Sequence, residues 1–149
     1  MRIHLNIGSN QGDRAALIGR AVALLVRALP DACVRCSAPV ESEPWGFDSP
    51  SAFLNVGVML DLPRYLAPEA LLDITQAAER AISPASHRNP DGSYRDRLID
   101  IDIIAVDRLR IDTPRLTLPH PRAHLRAFVL DPLRELDPQL HAELAALRP

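Results

Sequence analysis

The chain has 149 residues, of which 47% are hydrophobic and 24% charged, a composition that fits one globular domain, residues 1–149, with its own apolar core. Its 17 basic residues, all arginine, face 19 acidic residues and leave a net charge of −2, which excludes the basic surface typical of a nucleic-acid-binding protein. Because the sequence contains no lysine, chemistry that needs a lysine amine is excluded, including Walker-type phosphate binding.

The sequence also argues against export, membrane insertion and a metal–thiolate site. The first residues lack the order of basic, apolar and small residues that marks a secretory signal. The most apolar stretch, residues 15–29, is interrupted by Arg20 and Arg27, so we expect no membrane span and a cytoplasmic protein. Cys33 and Cys36 have the C-x-x-C spacing of redox and zinc sites. They fall in a predicted strand, where residues three apart point to opposite faces, and a zinc site needs further ligands, so we expect neither role.

The predicted elements follow the order β-α-β-β-α-β. Apolar runs and alternation predict four strands, at residues 2–8, 32–37, 52–60 and 98–104. Apolar residues at helical spacing predict two helices, at 14–29 and 68–82. Residues rich in Pro, Gly and Ser predict long loops at 38–51 and 83–96, the second long enough to act as a lid. This order is typical of an α+β, ferredoxin-like fold: one antiparallel sheet, helices on one face, and a C-terminal appendage of turns and short helix.

Strand alternation assigns the polar residues of the predicted sheet to the face away from the helices. In the third and fourth predicted strands one set of alternating residues is aliphatic and is expected beneath the helices. The first strand is expected to be half buried in the same way. The residues on the opposite, open face are Phe53, Asn55, Asp100 and Asp102. On the first strand His4 and Asn6 alternate with the apolar residues.

Asp100 and Asp102 are the candidate metal ligands. Two carboxylates two residues apart on a strand lie about 6.6 Å apart on the same side. Their mutual repulsion, and the low strand propensity of Asp, are offset if a divalent cation lies between them, and Mg²⁺ prefers such hard oxygen ligands. A solvated sheet face also accommodates Asp-x-Asp, so the pair alone leaves both interpretations open.

Four segments of the sequence resemble one family in order and spacing. They are IGSNQGD, SEPWGFDSPSAFLNV, RLIDIDII and LTLPHPRAHLRAFVLDPL, which together span about residues 3 to 138. They resemble the 6-hydroxymethyl-7,8-dihydropterin pyrophosphokinases of folate biosynthesis, and the D-I-D strand with the downstream P-H and R-x-F residues is the most specific part. The resemblance implies that pyrophosphate is transferred from ATP, the co-substrate, to the hydroxymethyl group of the reduced pterin, releasing AMP, with two Mg²⁺ ions on the triphosphate.

The resemblance also implies roles for individual residues. Asp100 and Asp102 match the family's magnesium ligands. Residues that match the pterin site are Ser42, Pro44, Trp45, Phe53, Asn55 and Phe128. Residues at positions used around ATP are Gln76, Glu79, Arg115, Thr117, His120 and Arg126. The implied catalytic arginines are Arg97 and Arg88.

The predicted lid departs from the family's pattern. Which of Arg88 and Arg95 contacts which phosphate stays open, as does whether Tyr94 covers the pterin. The implied partners are ATP and the reduced pterin, with no nucleic acid, membrane or obligate protein partner. Two alternatives follow from the residues alone. A non-catalytic ferredoxin-like module would bind a small ligand without regard to Mg²⁺, and a sugar-nucleotide transferase would use the D-x-D pair but needs a larger nucleotide-binding domain.

Overall fold

A computed structural model of the chain describes residues 1–43, 52–83 and 98–147. Within these ranges the helices are α1 (Arg14–Ala28), α2 (Pro68–Ile82), α3 (Ala127–Leu136) and α4 (Pro138–Ala145), with a 3-10 turn at Ala123–Leu125. The strands in the same ranges are β1 (Arg2–Ser9), β2 (Cys33–Cys36), β3 (Val40–Ser42), β4 (Phe53–Asp61), β5 (Asp100–Val106), β6 (Ile111–Asp112) and β7 (Thr117–Leu118). None of the helices in the described segments is both long and apolar enough to cross a membrane.

One antiparallel sheet organises the molecule. Its strands run in the order β2-β4-β1-β5, and β3 pairs with the beginning of β4. Strand β1 is central, so Asn6 lies opposite Gly57 on β4 and opposite Asp102 on β5. The prediction of an α+β fold with an antiparallel sheet is confirmed. Strand β3 lies within residues 38–51, which were predicted as a loop, and that part of the prediction is wrong.

Helices α1 and α2 pack on one face of the sheet. Their apolar sides meet the aliphatic residues of β1, β4 and β5, which are buried as strand alternation predicts, Ile101 and Ile103 among them. The side chain of Asp13 begins α1 by accepting a hydrogen bond from the Ala16 N–H at 3.1 Å. This cap satisfies one of the N–H groups that a helix start leaves open. Pro68 begins α2, where its missing N–H costs nothing.

The opposite face of the sheet is partly covered by the C-terminal helices. Ile104 and Ala105 pack with Val129 and Leu133 of α3 in a second apolar cluster. The two predicted helices, α1 and α2, do share one face of the sheet, and the predicted C-terminal appendage adds α3, which docks on the other face. The prediction of a half-buried first strand is wrong, because α3 covers this side of β1.

Two contacts fix the C-terminal helices to the sheet. A Cβ placed on Gly57 would lie 2.7 Å from the Cβ of Pro132, so glycine is what allows α3 to approach β4. Nε2 of the buried His4 lies 3.0 Å from Oδ2 of Asp137, whose other oxygen accepts the Leu140 N–H and so caps α4. Helix α3 covers only part of this face, and the residues expected to form the site gather where it leaves the sheet open.

Candidate functional site

Two clefts meet at the start of β5. The smaller one is lined by Asn6, Gly8, Ser42, Glu43, Phe53, Asn55, Asp100, Asp102, Arg126 and Phe128. The larger one, of about 350 Å³, lies between α2, β5 and the β6–β7 region. Asp100 and Asp102 line both clefts. A ligand of these two carboxylates would therefore contact the contents of both.

The smaller cleft combines aromatic rings with an oriented amide. Phe53 comes from the start of β4 and Phe128 from the start of α3, so the docking of α3 brings the two rings to one cleft. Asn55 is 2% exposed, and its Nδ2 donates to the Val40 carbonyl at 3.1 Å and to Ser42 Oγ at 2.8 Å. Both of its N–H groups are used on β3, which leaves Oδ1 as the acceptor toward a ligand.

The absence of a side chain at Gly8 leaves space for the Phe53 ring and the Asn55 amide. A Cβ on Gly8 would lie 3.0 Å from Oδ1 of Asn55 and 3.3 Å from Cδ1 of Phe53. Both distances are shorter than a comfortable contact for a carbon atom. A side chain at position 8 would push both groups away from their places in the cleft.

The carboxylates of Asp100 and Asp102 fit a magnesium site. Both side chains are partly exposed on the face away from α1 and α2, as strand alternation predicts. Within the described residues no cluster of three or more His, Cys, Asp or Glu side chains could form a cage for a metal. Two carboxylates match the needs of Mg²⁺, which takes one or two such ligands from a protein and fills its other coordination positions with water and substrate phosphates.

Arg126 provides a positive charge beside this carboxylate pair. Its NH1 lies 3.6 Å from Oδ2 of Asp102, and its guanidinium lies 5.5 Å from the centre of the Phe128 ring. Burial lowers the pKa of Arg126, and the attraction of Asp102 opposes that effect. The group remains cationic in any case, because an arginine does not lose its proton in a protein.

The larger cleft holds five of the residues expected around ATP. They are Gln76, Glu79, Arg115, Thr117 and His120. Glu79 also supports the carboxylate pair, because its Oε2 accepts the Ile101 N–H at 2.9 Å. Ile101 lies between the two aspartates on β5, an edge strand of the sheet. Glu79 therefore fixes the backbone from which both carboxylates project.

His120 is a half-buried, neutral residue of the larger cleft, and Arg115 is an exposed cation at its rim. Burial, together with the charges of Arg126 and Arg122, lowers the pKa of His120 to about 4, so its ring is neutral at pH 7. Its Nδ1 accepts the Arg122 N–H at 3.1 Å. Arg115 is exposed and lies 2.6 Å from a carboxylate oxygen of Glu69 and 2.8 Å from one of Asp73. Two carboxylates thus orient its guanidinium at the rim of the larger cleft.

Most of the expected site residues that the structure describes lie together. Ser42, Phe53, Asn55 and Phe128 share the smaller cleft, and Arg126, expected near ATP, lies there as well instead of in the larger one. Four expected residues fall outside the described segments: Pro44, Trp45, Arg88 and Arg97. Three further residues of the smaller cleft were not predicted: Asn6, Gly8 and Glu43. Strand alternation had separated Asn6 from the apolar residues of the first strand, but no recognised motif singled it out.

Comparison with known proteins agrees with the resemblance seen in the sequence. The family described as 7,8-dihydro-6-hydroxymethylpterin-pyrophosphokinase matches residues 4–138. The chain is similar to the 2-amino-4-hydroxy-6-hydroxymethyldihydropteridine pyrophosphokinase of Porphyromonas gingivalis, with 41% identity over 95% of this chain and 94% of the relative. It is similar to the enzyme of the same name from Methylorubrum extorquens, with 37% identity over 93% of this chain and 84% of the relative. It is also similar to that of Bacillus subtilis, with 34% identity over 94% of this chain and 80% of the relative. The chain therefore belongs to the 7,8-dihydro-6-hydroxymethylpterin-pyrophosphokinase family.

Proposed function

We propose that this chain transfers pyrophosphate from ATP to the hydroxymethyl group of 6-hydroxymethyl-7,8-dihydropterin and releases AMP. The observation that carries the proposal is that Asp100 and Asp102 line both clefts. A metal ion on these carboxylates would hold the triphosphate of a nucleotide in the larger cleft next to a ring in the smaller one. That is the juxtaposition required for transfer between two bound substrates.

The smaller cleft suits the pterin ring. Phe53 and Phe128 provide aromatic surfaces for a flat heterocycle. Oδ1 of Asn55, oriented by Ser42 and the Val40 carbonyl, would accept a hydrogen bond from an N–H at the ring's edge. We include Pro44 and Trp45, which follow β3 in sequence, among the pterin-binding residues on the strength of the family's pattern.

The larger cleft suits MgATP. Asp100 and Asp102 would hold the metal, and we propose two Mg²⁺ ions; bound there, the metal supplies charge neutralisation of the phosphates. Gln76, Glu79, Arg115, Thr117 and His120 line the surrounding surface. Because Nδ1 of the neutral His120 ring accepts the Arg122 N–H, Nε2 carries the proton and would donate a hydrogen bond to ATP without adding charge. Arg126 lies within reach of the same junction and would turn from Asp102 to a phosphate oxygen.

In the proposed reaction the pterin hydroxyl attacks the β-phosphorus of ATP. A bond forms between that oxygen and the β-phosphorus, the bond from the β-phosphorus to the α–β bridging oxygen breaks, AMP leaves with that oxygen, and the hydroxyl proton goes to solvent. The protein contributes position and positive charge, for which we propose Arg88 and Arg97 together with Arg126.

We propose a ferredoxin-like topology and a single domain over residues 1–149. We also propose that the protein is cytoplasmic, that its partners are ATP and the pterin, and that it needs no obligate protein partner and binds neither nucleic acid nor a membrane. The strand order β2-β4-β1-β5, with α1 and α2 on one face of the sheet, supports the topology. The net charge of −2 supports the absence of a nucleic-acid partner.

The nucleotide product tests the proposal directly. The purified chain, incubated with Mg²⁺, ATP and 6-hydroxymethyl-7,8-dihydropterin, is expected to produce AMP and a pyrophosphorylated pterin in equal amounts, resolved by ion-exchange chromatography. Formation of ADP would contradict transfer from the β-phosphorus. Nucleotide binding that is independent of Mg²⁺ in calorimetry, with no AMP formed, would favour the alternative of a non-catalytic binding module.

A further inference from the structure

Phe128 lies on a helix that cannot complete its own hydrogen bonds. In an α-helix the carbonyl of one residue accepts the N–H of the residue four positions later. Four positions after Phe128 is Pro132, which lies inside α3 and has no N–H. The proline ring also crowds the carbonyl four residues before it. The Phe128 carbonyl therefore needs a donor from outside the helix.

Asn6 is that donor. Its Nδ2 donates to the Phe128 carbonyl at 2.9 Å, across 122 positions of sequence. The Asn6 side chain is 4% exposed and stands on the central strand, opposite Gly57 on one neighbour and Asp102 on the other. It also lines the smaller cleft. One side chain thus connects the sheet, the carboxylate pair and the aromatic residue of α3.

We propose that Asn6 is a positioning residue for the pterin, acting through Phe128; this rests on the proposed function of the smaller cleft. Among the described residues, the start of α3 also contacts the sheet through the 3.6 Å approach of Arg126 to Asp102 and through apolar contacts such as those of Val129. Apolar contacts are not directional, and they allow small shifts of the helix. The hydrogen bond fixes the first turn of α3, and with it the height of the Phe128 ring above the sheet.

Replacement of Asn6 tests this through the two substrates separately. Asn6→Ala removes the donor, and it is expected to raise the KM and Kd of the pterin about three- to tenfold, the equivalent of one net hydrogen bond. The KM of ATP is expected to stay within about twofold, because the larger cleft does not include Asn6 or Phe128. The pterin Kd is measured by calorimetry with Mg²⁺ and a non-hydrolysable ATP analogue.

A second substitution separates the hydrogen bond from general loosening. Pro132→Ala keeps a Cβ at position 132 and restores an N–H, which can satisfy the Phe128 carbonyl within the helix. In the double variant Asn6→Ala/Pro132→Ala the Phe128 carbonyl is satisfied, so stability is expected to recover relative to Asn6→Ala. Its pterin Kd is expected to stay raised, because the bond from α3 to the sheet is still missing, and a wild-type pterin Kd in this variant would contradict the positioning role. Val129→Ala, on the same helix turn, is the matched control; it removes buried apolar volume and is expected to lower stability without changing the pterin Kd.

The outcomes distinguish this inference from the proposed function. If the wild type forms no AMP, the proposed activity fails, while the pterin Kd values still test the role of Asn6. If the wild type is active and Asn6→Ala has an unchanged pterin Kd, or Val129→Ala raises that Kd equally, the positioning role is wrong. Should Asn6→Ala fail to fold, Asn6→Leu removes the donor and keeps the branched shape of the side chain, and an unchanged pterin Kd in that variant would overturn the inference too.

Discussion

Gly57 is the point at which a single methyl group tests the packing of α3 on the sheet. In Gly57→Ala the new Cβ would lie 2.7 Å from the Cβ of Pro132 and 3.2 Å from Cδ1 of Leu136. Two carbon atoms pack without strain at about 3.5–4.0 Å, so helix α3 has to move outward by about 1 Å. The contact at Pro132 involves a rigid ring that cannot turn aside.

Overpacking of this kind costs about 1–3 kcal/mol of unfolding free energy. For a chain of this size, we expect the melting temperature to fall by about 2–4 °C for each kcal/mol lost. The same displacement moves Phe128, on the first turn of α3, away from Phe53. Pterin affinity is therefore expected to decrease together with stability.

The measurement is urea unfolding, with pterin binding measured on the same preparations. The matched control is Gly19→Ala, in the middle of α1, where a Cβ would meet nothing within 4 Å. Alanine is the better helix former, so this variant is expected to gain about 0.5–1 kcal/mol. A Gly57→Ala variant as stable as the wild type, with unchanged pterin affinity, would refute the argument that α3 needs glycine at this position.

Two further predictions concern titration and charge. Burial lowers the pKa of His4, and the attraction of Asp137 opposes this effect. The stability that neutral His4 contributes is therefore fully present above pH 6.5 and is lost as the pH falls. The contribution of His120 changes in the same direction, down to its pKa of about 4. The urea concentration at the unfolding midpoint should therefore decrease as the pH is lowered from 7.5 to 5, and it should decrease less in His4→Gln. An equal decrease in the wild type and in His4→Gln would contradict this. Arg115→Met is expected to raise the KM of ATP about tenfold or more, since the proposed charged hydrogen bond to ATP is lost. Stability should change little, because the ion pairs of Arg115 with Glu69 and Asp73 are exposed. Arg64→Met, which breaks another exposed pair, should leave that KM unchanged, and equal effects of the two variants would argue against a role of Arg115 in nucleotide binding.

Strand alternation was sufficient to predict which side chains of β4 and β5 share one face of the sheet. On β4 and β5 the apolar residues occupy every second position, so the intervening Phe53, Asn55, Asp100 and Asp102 had to point the other way. The structure brings these four residues to one cleft. Alternation says nothing about chemistry, which came from the family resemblance.

The C-terminal half of the site depends on contacts that local patterns do not reveal. Pro132 interrupts the apolar spacing that would predict α3, although the helix tolerates it because Asn6 satisfies the freed carbonyl. The pairing of His4 with Asp137 joins residues 133 positions apart. Such contacts are set by tertiary packing, so the sequence alone left β1 half exposed and the far face of the sheet open.

Asp100 and Asp102 are proposed to hold the metal between the two clefts, and electron paramagnetic resonance with Mn²⁺ in place of Mg²⁺ tests this role most directly. The wild type with a non-hydrolysable ATP analogue and the pterin is expected to bind two Mn²⁺ ions. Asp102→Asn should lose at least one of them or bind it more than about tenfold more weakly, since an amide replaces a charged ligand. The control Asp131→Asn, at an exposed position on α3, should bind Mn²⁺ as the wild type does. An Asp102→Asn variant with wild-type Mn²⁺ affinity and stoichiometry would contradict the account.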